Sequence, residues 1–135
     1  MAIDYGTKAI GVALSDELRL TGRPLTTLRR RRQSRNQLIA QIQMLIAEHE
    51  VAELVVGWPL SMDGSVGTAA ERVQSFIAEL QKTLAIPVIP QDERLTSHEA
   101  EEWMRALGFD LQTRKAKSDE YAAAVILRDY LESHR

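Results

Sequence analysis

The stretch Ala2-Ile3-Asp4-Tyr5-Gly6-Thr7-Lys8-Ala9-Ile10-Gly11-Val12-Ala13-Leu14-Ser15 reads as two short apolar strands joined at Gly6-Thr7-Lys8. One carboxylate, Asp4, lies inside the first strand. A charge there is costly unless it meets a cation or a hydrogen-bond network. The segment Gln91-Asp92-Glu93-Arg94 and the distant Asp119 are placed so that they could reach the same strand end. Three acidic positions converging from separate segments suggest a site for a hard metal ion. Mg²⁺ and Mn²⁺ prefer carboxylate oxygen, and phosphodiester cleavage with two ions needs several carboxylates to hold them about 4 Å apart. Asp4, Glu93 or Asp92, and Asp119 would supply these. The competing reading makes Asp4 a turn residue, pairs Asp92 and Glu93 with Arg94, and leaves Asp119 at a helix N-terminus, where the macrodipole favours it.

Working outward, Leu20 to Leu28 offers a third extended piece, with Thr26-Thr27-Leu28 favouring a strand. Ser34 and Gln37 then have capping-box spacing, and Leu38, Ile42, Leu45, Ile46 and His49 follow on one helical face. Glu53 to Gly57 is a strand stopped by Trp58-Pro59, and Leu60 to Gly67 is a loop. Thr68 and Glu71 start a second helix with Val73, Phe76, Ile77, Leu80 and Leu84 on its apolar face. Ile86 to Pro90 is a strand whose two prolines place it near an edge. Thr96 and Glu99 start a third helix that Gly108 closes. A loop carrying Arg114, Lys115 and Lys117 leads to Ser118 as the N-cap of the last helix. Ala123, Ile126, Leu127, Tyr130 and Leu131 define the buried face of that helix, and Asp119 lies on it, four residues before Ala123. The element order makes an α/β sandwich around a mixed sheet, whose ligand sites tend to lie beyond strand ends.

The chain of 135 residues fits a single domain over 1–135. It has no cysteine, which excludes disulfides, thiolate metal sites and cysteine nucleophiles. The longest apolar runs are too short to span a bilayer and the N-terminus lacks a signal pattern, so a cytoplasmic protein with no membrane partner is expected. A net charge of -2 does not announce a nucleic-acid binder. The distribution says more: no acidic residue falls between Glu17 and Glu48, while Arg19, Arg23, Arg29, Arg30, Arg31, Arg32 and Arg35 do. Such a run either contacts a phosphate backbone or is a solvated face. Gly57 and Gly64, flanking Trp58-Pro59 and Asp63, could form a loop that approaches a phosphate, or a structural turn. His49, His98 and His134 share no metal-ligand spacing, and no Gly-x-Ser-x-Gly elbow supports serine catalysis.

Four segments together resemble the YqgF/RuvX family: Asp4-Tyr5-Gly6-Thr7-Lys8-x-Ile10-Gly11-Val12-Ala13, Gly57-x-Pro59-Leu60-x-Met62-Asp63-Gly64, Asp92-Glu93-Arg94-Leu95-Thr96-Ser97 and Asp119-x-x-Ala122-Ala123-x-x-Ile126-Leu127. The resemblance implies a ribonuclease-H-like fold, with a central mixed five-stranded sheet and helices on both faces. It further implies a metal-dependent nuclease that matures the 5′ end of pre-16S rRNA, with Mg²⁺ or Mn²⁺ as cofactor. On that resemblance Asp4 and Asp119 are ligands, with Glu93 the first choice for the middle ligand and Asp92 the runner-up. Lys8, Arg29, Arg30, Arg31, Arg32, Arg94 and Lys117 would meet nucleic acid. Partners would be structured RNA or branched DNA, with ribosome-associated factors, the chain acting as a monomer or weak homodimer. Alternatives are a resolvase of four-way DNA junctions and an RNA-binding assembly factor with an inactive site. The chain departs from the family pattern at Ala9, where a basic residue is common, and at Ser118, where an aliphatic one is usual. Only three residues precede Asp4, roughly 10 Å of extended chain, so a short first strand is expected.

Overall fold

The structure, a computed structural model, describes residues 1–58, 68–92 and 96–134, with Trp58, Thr68 and Ala69 described by their backbone alone. Nine elements follow one another: β1 (Ala2–Tyr5), β2 (Ala9–Ser15), β3 (Gly22–Arg29), α1 (Arg35–Glu48), β4 (Leu54–Trp58), α2 (Thr68–Thr83), β5 (Val88–Asp92), α3 (Thr96–Ala106) and α4 (Leu111–Ser133). The strands form one mixed sheet in the order β3-β2-β1-β4-β5. The first three make an antiparallel meander. β1 then pairs in parallel with β4, and β4 with β5.

Alternation along the strands sends side chains to two different layers. Ile3, Ile10, Val12, Leu54, Val56 and Val88 pack with Leu38, Ile39 and Ile42 of α1 and with Val73, Phe76, Ile77 and Leu80 of α2. Ala2, Ala13 and Val55 face the other way, against Ala123, Ala124, Ile126, Leu127 and Tyr130 of α4. The small side chains on this second face let α4 lie close to the sheet. α3 joins α4 through Ala100, Met104, Tyr121, Ala122 and Val125. The expected five-stranded sheet with helices on both faces is what the chain forms.

Local chemistry explains most boundaries. Ser34 caps α1 in a reciprocal capping box with Gln37. Gly108, at φ +79°, ends α3. Its amide donates to the Arg105 carbonyl and that of Phe109 to Met104, the paired bonds of a Schellman stop. β5 is an edge strand, which suits Pro90 within it, but it begins and ends two residues later than expected. Asp92 is therefore its last residue, aligned with Trp58.

The last helix corrects the sequence reading. It starts at Leu111, with Asp110 as N-cap accepting the Thr113 amide, rather than at Ser118. Ser118 instead turns its hydroxyl back to the Lys115 carbonyl, 3.3 Å away. Both residues are good caps; the one immediately after the Gly108 stop takes the helix. The expected loop of Arg114, Lys115 and Lys117 is thus the first two turns of α4. Thr96 and Glu99 have the same capping-box spacing as Ser34 and Gln37, but no such box forms, since the Thr96 hydroxyl is buried and finds no hydrogen-bond partner among the described residues.

Candidate active site and nucleic-acid interface

Asp4 is the third residue of β1 and shares the α4 face with Ala2. Its register partner on β2 is Gly11. Glycine inside a strand often marks a close backbone approach, and here the approach is that of α4. A Cβ added to Gly11 would fall 1.9 Å from the carbonyl oxygen of Asp119 and 2.7 Å from the Glu120 nitrogen. A Cβ on Gly6 would stand 3.5 Å from Asp119 Oδ1. The carboxylate of Asp119 therefore reaches over the β1–β2 turn, beside the end of the strand that carries Asp4. The first strand and the last helix meet through a bare glycine.

Burial pushes the Asp119 carboxyl above its ordinary range. Burial also raises Glu120, opposed by Lys117 and by the hydroxyl of Thr27, which lies 3.5 Å from Glu120 Oε2. Asp119, Glu120 and Thr27 are each half-buried and offer oxygen donors. Such donors suit a hard divalent cation. No cluster of three His, Asp or Glu side chains able to hold a metal occurs among the described residues.

Glu93 and Arg94 lie outside the described residues, as does Gly64 with the loop expected over Leu60 to Gly67. Asp92 is in phase with Val88, which packs in the α1–α2 layer, whereas Ile89 packs on the α4 side. The pleat therefore assigns Asp92 to the face opposite Asp4 and Asp119. Gly57 is buried in β4, opposite Gln91.

The basic run divides into two kinds of residue. Arg29, Arg31 and Arg32 are exposed, as is Lys8. Arg30 is half-buried, and its guanidinium donates to the carbonyls of Gly6 and Thr7 and to the Tyr5 hydroxyl. Lys8, Arg29, Arg30, Arg31 and Arg35 line a groove of about 910 Å³ together with Tyr5. It opens beside the same β1–β2 turn. Lys117, on the second turn of α4, is exposed, its ammonium 5.6 Å from the Phe109 ring centroid. A second cavity, about 740 Å³, opens at the far end of the sheet near Arg19, Glu53 and Tyr130, and contains none of the expected site residues.

Sequence reasoning missed Gly11 and Gly6 as the residues that let Asp119 approach β1. The signal was there, a glycine amid strand-forming Ile10 and Val12. It also missed Tyr5 as a groove residue, for which only proximity in space gives a sign, whereas Arg35 belongs to the basic run already singled out.

In fold the chain is similar to ribonuclease-H-like junction resolvases. Thermus thermophilus RuvC in complex with Holliday junction substrate matches with a TM-score of 0.57 at 13% identity, over 98% of this chain and 92% of that one. The fowlpox virus Holliday junction resolvase gives a TM-score of 0.57 at 13% identity, over 97% and 96% of the two chains. By sequence the chain belongs to the RuvX family, whose model, described as Holliday junction resolvase, matches residues 1–133. A relative from Roseiflexus sp. (strain RS-1), named as a candidate pre-16S rRNA nuclease, is 44% identical over 135 residues, covering 100% of this chain and 94% of its own length. One of the same name from Geobacillus kaustophilus (strain HTA426) is 38% identical, with 100% and 98% covered.

Proposed function

We propose that this protein is a divalent-metal-dependent endonuclease acting on structured RNA, and that its reaction is 5′-end maturation of pre-16S rRNA in the cytoplasm. The observation that carries this reading is the convergence of Asp4 and Asp119 at Gly11, one from the sheet and the other from the helix packed on that same face. The names borne by the relatives from Roseiflexus and Geobacillus support the substrate.

Asp4, Asp119 and Glu93 would hold Mg²⁺ or Mn²⁺. Glu93 is preferred to Asp92 because the pleat of β5 turns Asp92 to the other face. Bound there, the metal supplies Lewis acidity for phosphodiester hydrolysis. The protein's own part is to present desolvated carboxylates on rigid elements and to hold the strand. Lys8, Arg29, Arg31, Arg32, Arg94 and Lys117 neutralise phosphates, and the groove beside the turn carries the flanking RNA. Gly64 would let a backbone amide approach a phosphate, whereas Gly57 is taken up in β4. Ribosome-associated factors would act as partners, with the chain a monomer or weak homodimer.

The test is cleavage of a labelled pre-16S leader RNA, beside a four-way DNA junction, with Mg²⁺, Mn²⁺ or chelator. Wild type should cut the RNA only with metal, and Asp4→Asn should lose at least about 100-fold in rate, more than an outer-sphere partner costs. Cleavage of the junction alone would replace this reading with DNA resolution, which the family description and the RuvC likeness favour. RNA binding without cleavage of either substrate would leave an assembly factor.

A further inference from the structure

Four consecutive arginines, Arg29 to Arg32, invite a single assignment as phosphate contacts. Their surroundings differ. Arg30 gives its guanidinium to three oxygens of the β1–β2 turn: the carbonyls of Gly6 and Thr7, and the Tyr5 hydroxyl at 2.8 Å. Its Cζ also lies 4.3 Å from the Tyr5 ring centroid. Tyr5 in turn stacks on Phe76 of α2, centroids 4.2 Å apart, and Phe76 is fully buried. The Arg30 amide meanwhile donates to the Lys8 carbonyl. The same turn is closed from within by the Gly6 amide on the Ala9 carbonyl at 2.9 Å.

This arrangement ties the end of β3 to the turn and anchors the turn on the α2 layer. The turn begins two residues after Asp4 and lies beneath the carboxylate of Asp119. We infer that Arg30 is a positioning residue, a planar fork that fixes the β1–β2 turn and thereby the relative placement of the Asp4 and Asp119 carboxylates, while its neighbours Arg29, Arg31 and Arg32 meet the substrate. The inference rests on the nuclease reading for its catalytic consequence and on geometry alone for its mechanical one. A guanidinium is required because it presents several donors in one plane and stacks flat on an aromatic ring; a lysine ammonium keeps the charge but cannot do both.

The charge-conserving variant separates the two roles. Arg30→Lys should bind pre-16S leader RNA with a Kd within about twofold of wild type and the same salt slope, since a point charge is preserved. Its saturating single-turnover rate should fall by about 10- to 100-fold, as expected for carboxylates displaced by up to an ångström. Arg31→Ala should instead weaken binding and reduce the salt slope by about one. Full cleavage by Arg30→Lys, with Arg30→Ala behaving as Arg31→Ala, would overturn the inference and make Arg30 a phosphate contact. Amide hydrogen exchange tests the mechanical half without any nuclease assay. Faster exchange at Gly6 in Arg30→Lys, with core amides of β2 unchanged, supports the inference, and unchanged exchange at Gly6 overturns it. Should wild type itself fail to cut RNA, the nuclease reading falls and the exchange result alone decides the role of Arg30.

Discussion

At the scale of single residues, the position that matters most to the site carries no side chain. Gly11 lies between the strand bearing Asp4 and the helix bearing Asp119, and a methyl group there meets backbone, which cannot rotate away. Gly11→Ala is expected to push α4 off the sheet, destabilising the protein by about 3 kcal/mol, at the upper end of overpacking costs. Cleavage should fall with it, and urea melts beside the RNA assay would show both losses. Gly22 offers a contrast, because its added Cβ would meet only the Leu127 side chain, at 3.1 Å and beyond. Asp4 was legible from sequence because a charge inside an apolar strand needs an explanation. Asp119 was legible because its spacing from Ala123 sets it on the inward face. Their approach through Gly11 was not, since an isolated glycine in a strand signals a close neighbour without naming it. The division among the arginines was equally hidden, as four identical side chains differ only in what surrounds them.

At the scale of elements, periodicity and punctuation placed all nine pieces, and the errors fell where two signals of similar strength competed. Asp110 and Ser118 both cap helices well, and sequence alone does not rank them. Asp110 prevails because Gly108 releases the chain just before it, giving a 23-residue α4 whose first turns bear Arg114, Lys115 and Lys117. Hydrogen bonds from Thr113 hold the Asp110 carboxyl below its ordinary value of 3.8. For a carboxylate with a depressed pKa, the stabilisation is present above the unfolded value and is lost as pH falls through the folded one. Asp110→Asn keeps a capping oxygen but no titration. The variant should therefore lose less stability than wild type between pH 6 and pH 2, measured by urea unfolding, and an equal loss would remove Asp110 from the account. β5 was displaced for a different reason. Its start is set by the Leu54↔Val88 pairing, and register is a property of two strands that one run of apolar residues cannot reveal.

At the scale of the molecule, the two helical layers do different work. α1 and α2 bury the larger side chains, and the start of α1 helps line the groove, while α4, seated on alanines and glycine, brings in the carboxylate. Because burial raises Asp119 above 3.8, its ionised form opposes folding. That opposition is absent below pH 3.8, accumulates as pH climbs to the raised value, and is full above it. On the proposed reading a cation bound there offsets it. Mg²⁺ should therefore raise the Tm of wild type at pH 7, by about 2.7 kcal/mol of stability at a hundredfold excess over Kd. Asp119→Asn should melt higher than wild type in chelator and gain nothing from Mg²⁺; a Mg²⁺ response equal to that of wild type would dismiss Asp119 as a ligand.

The seating of α4 on Gly11 also makes the site depend on a contact between distant parts of the chain. The meander of β1, β2 and β3 closes through neighbours in sequence, at little loop-entropy cost, whereas Asp119 arrives from the other end of the chain. A molecule with its sheet formed and its last helix undocked has Asp4 but not the acidic pair. On the proposed reading it holds RNA and cannot cut it, so completion of folding is itself the safety catch on the nuclease.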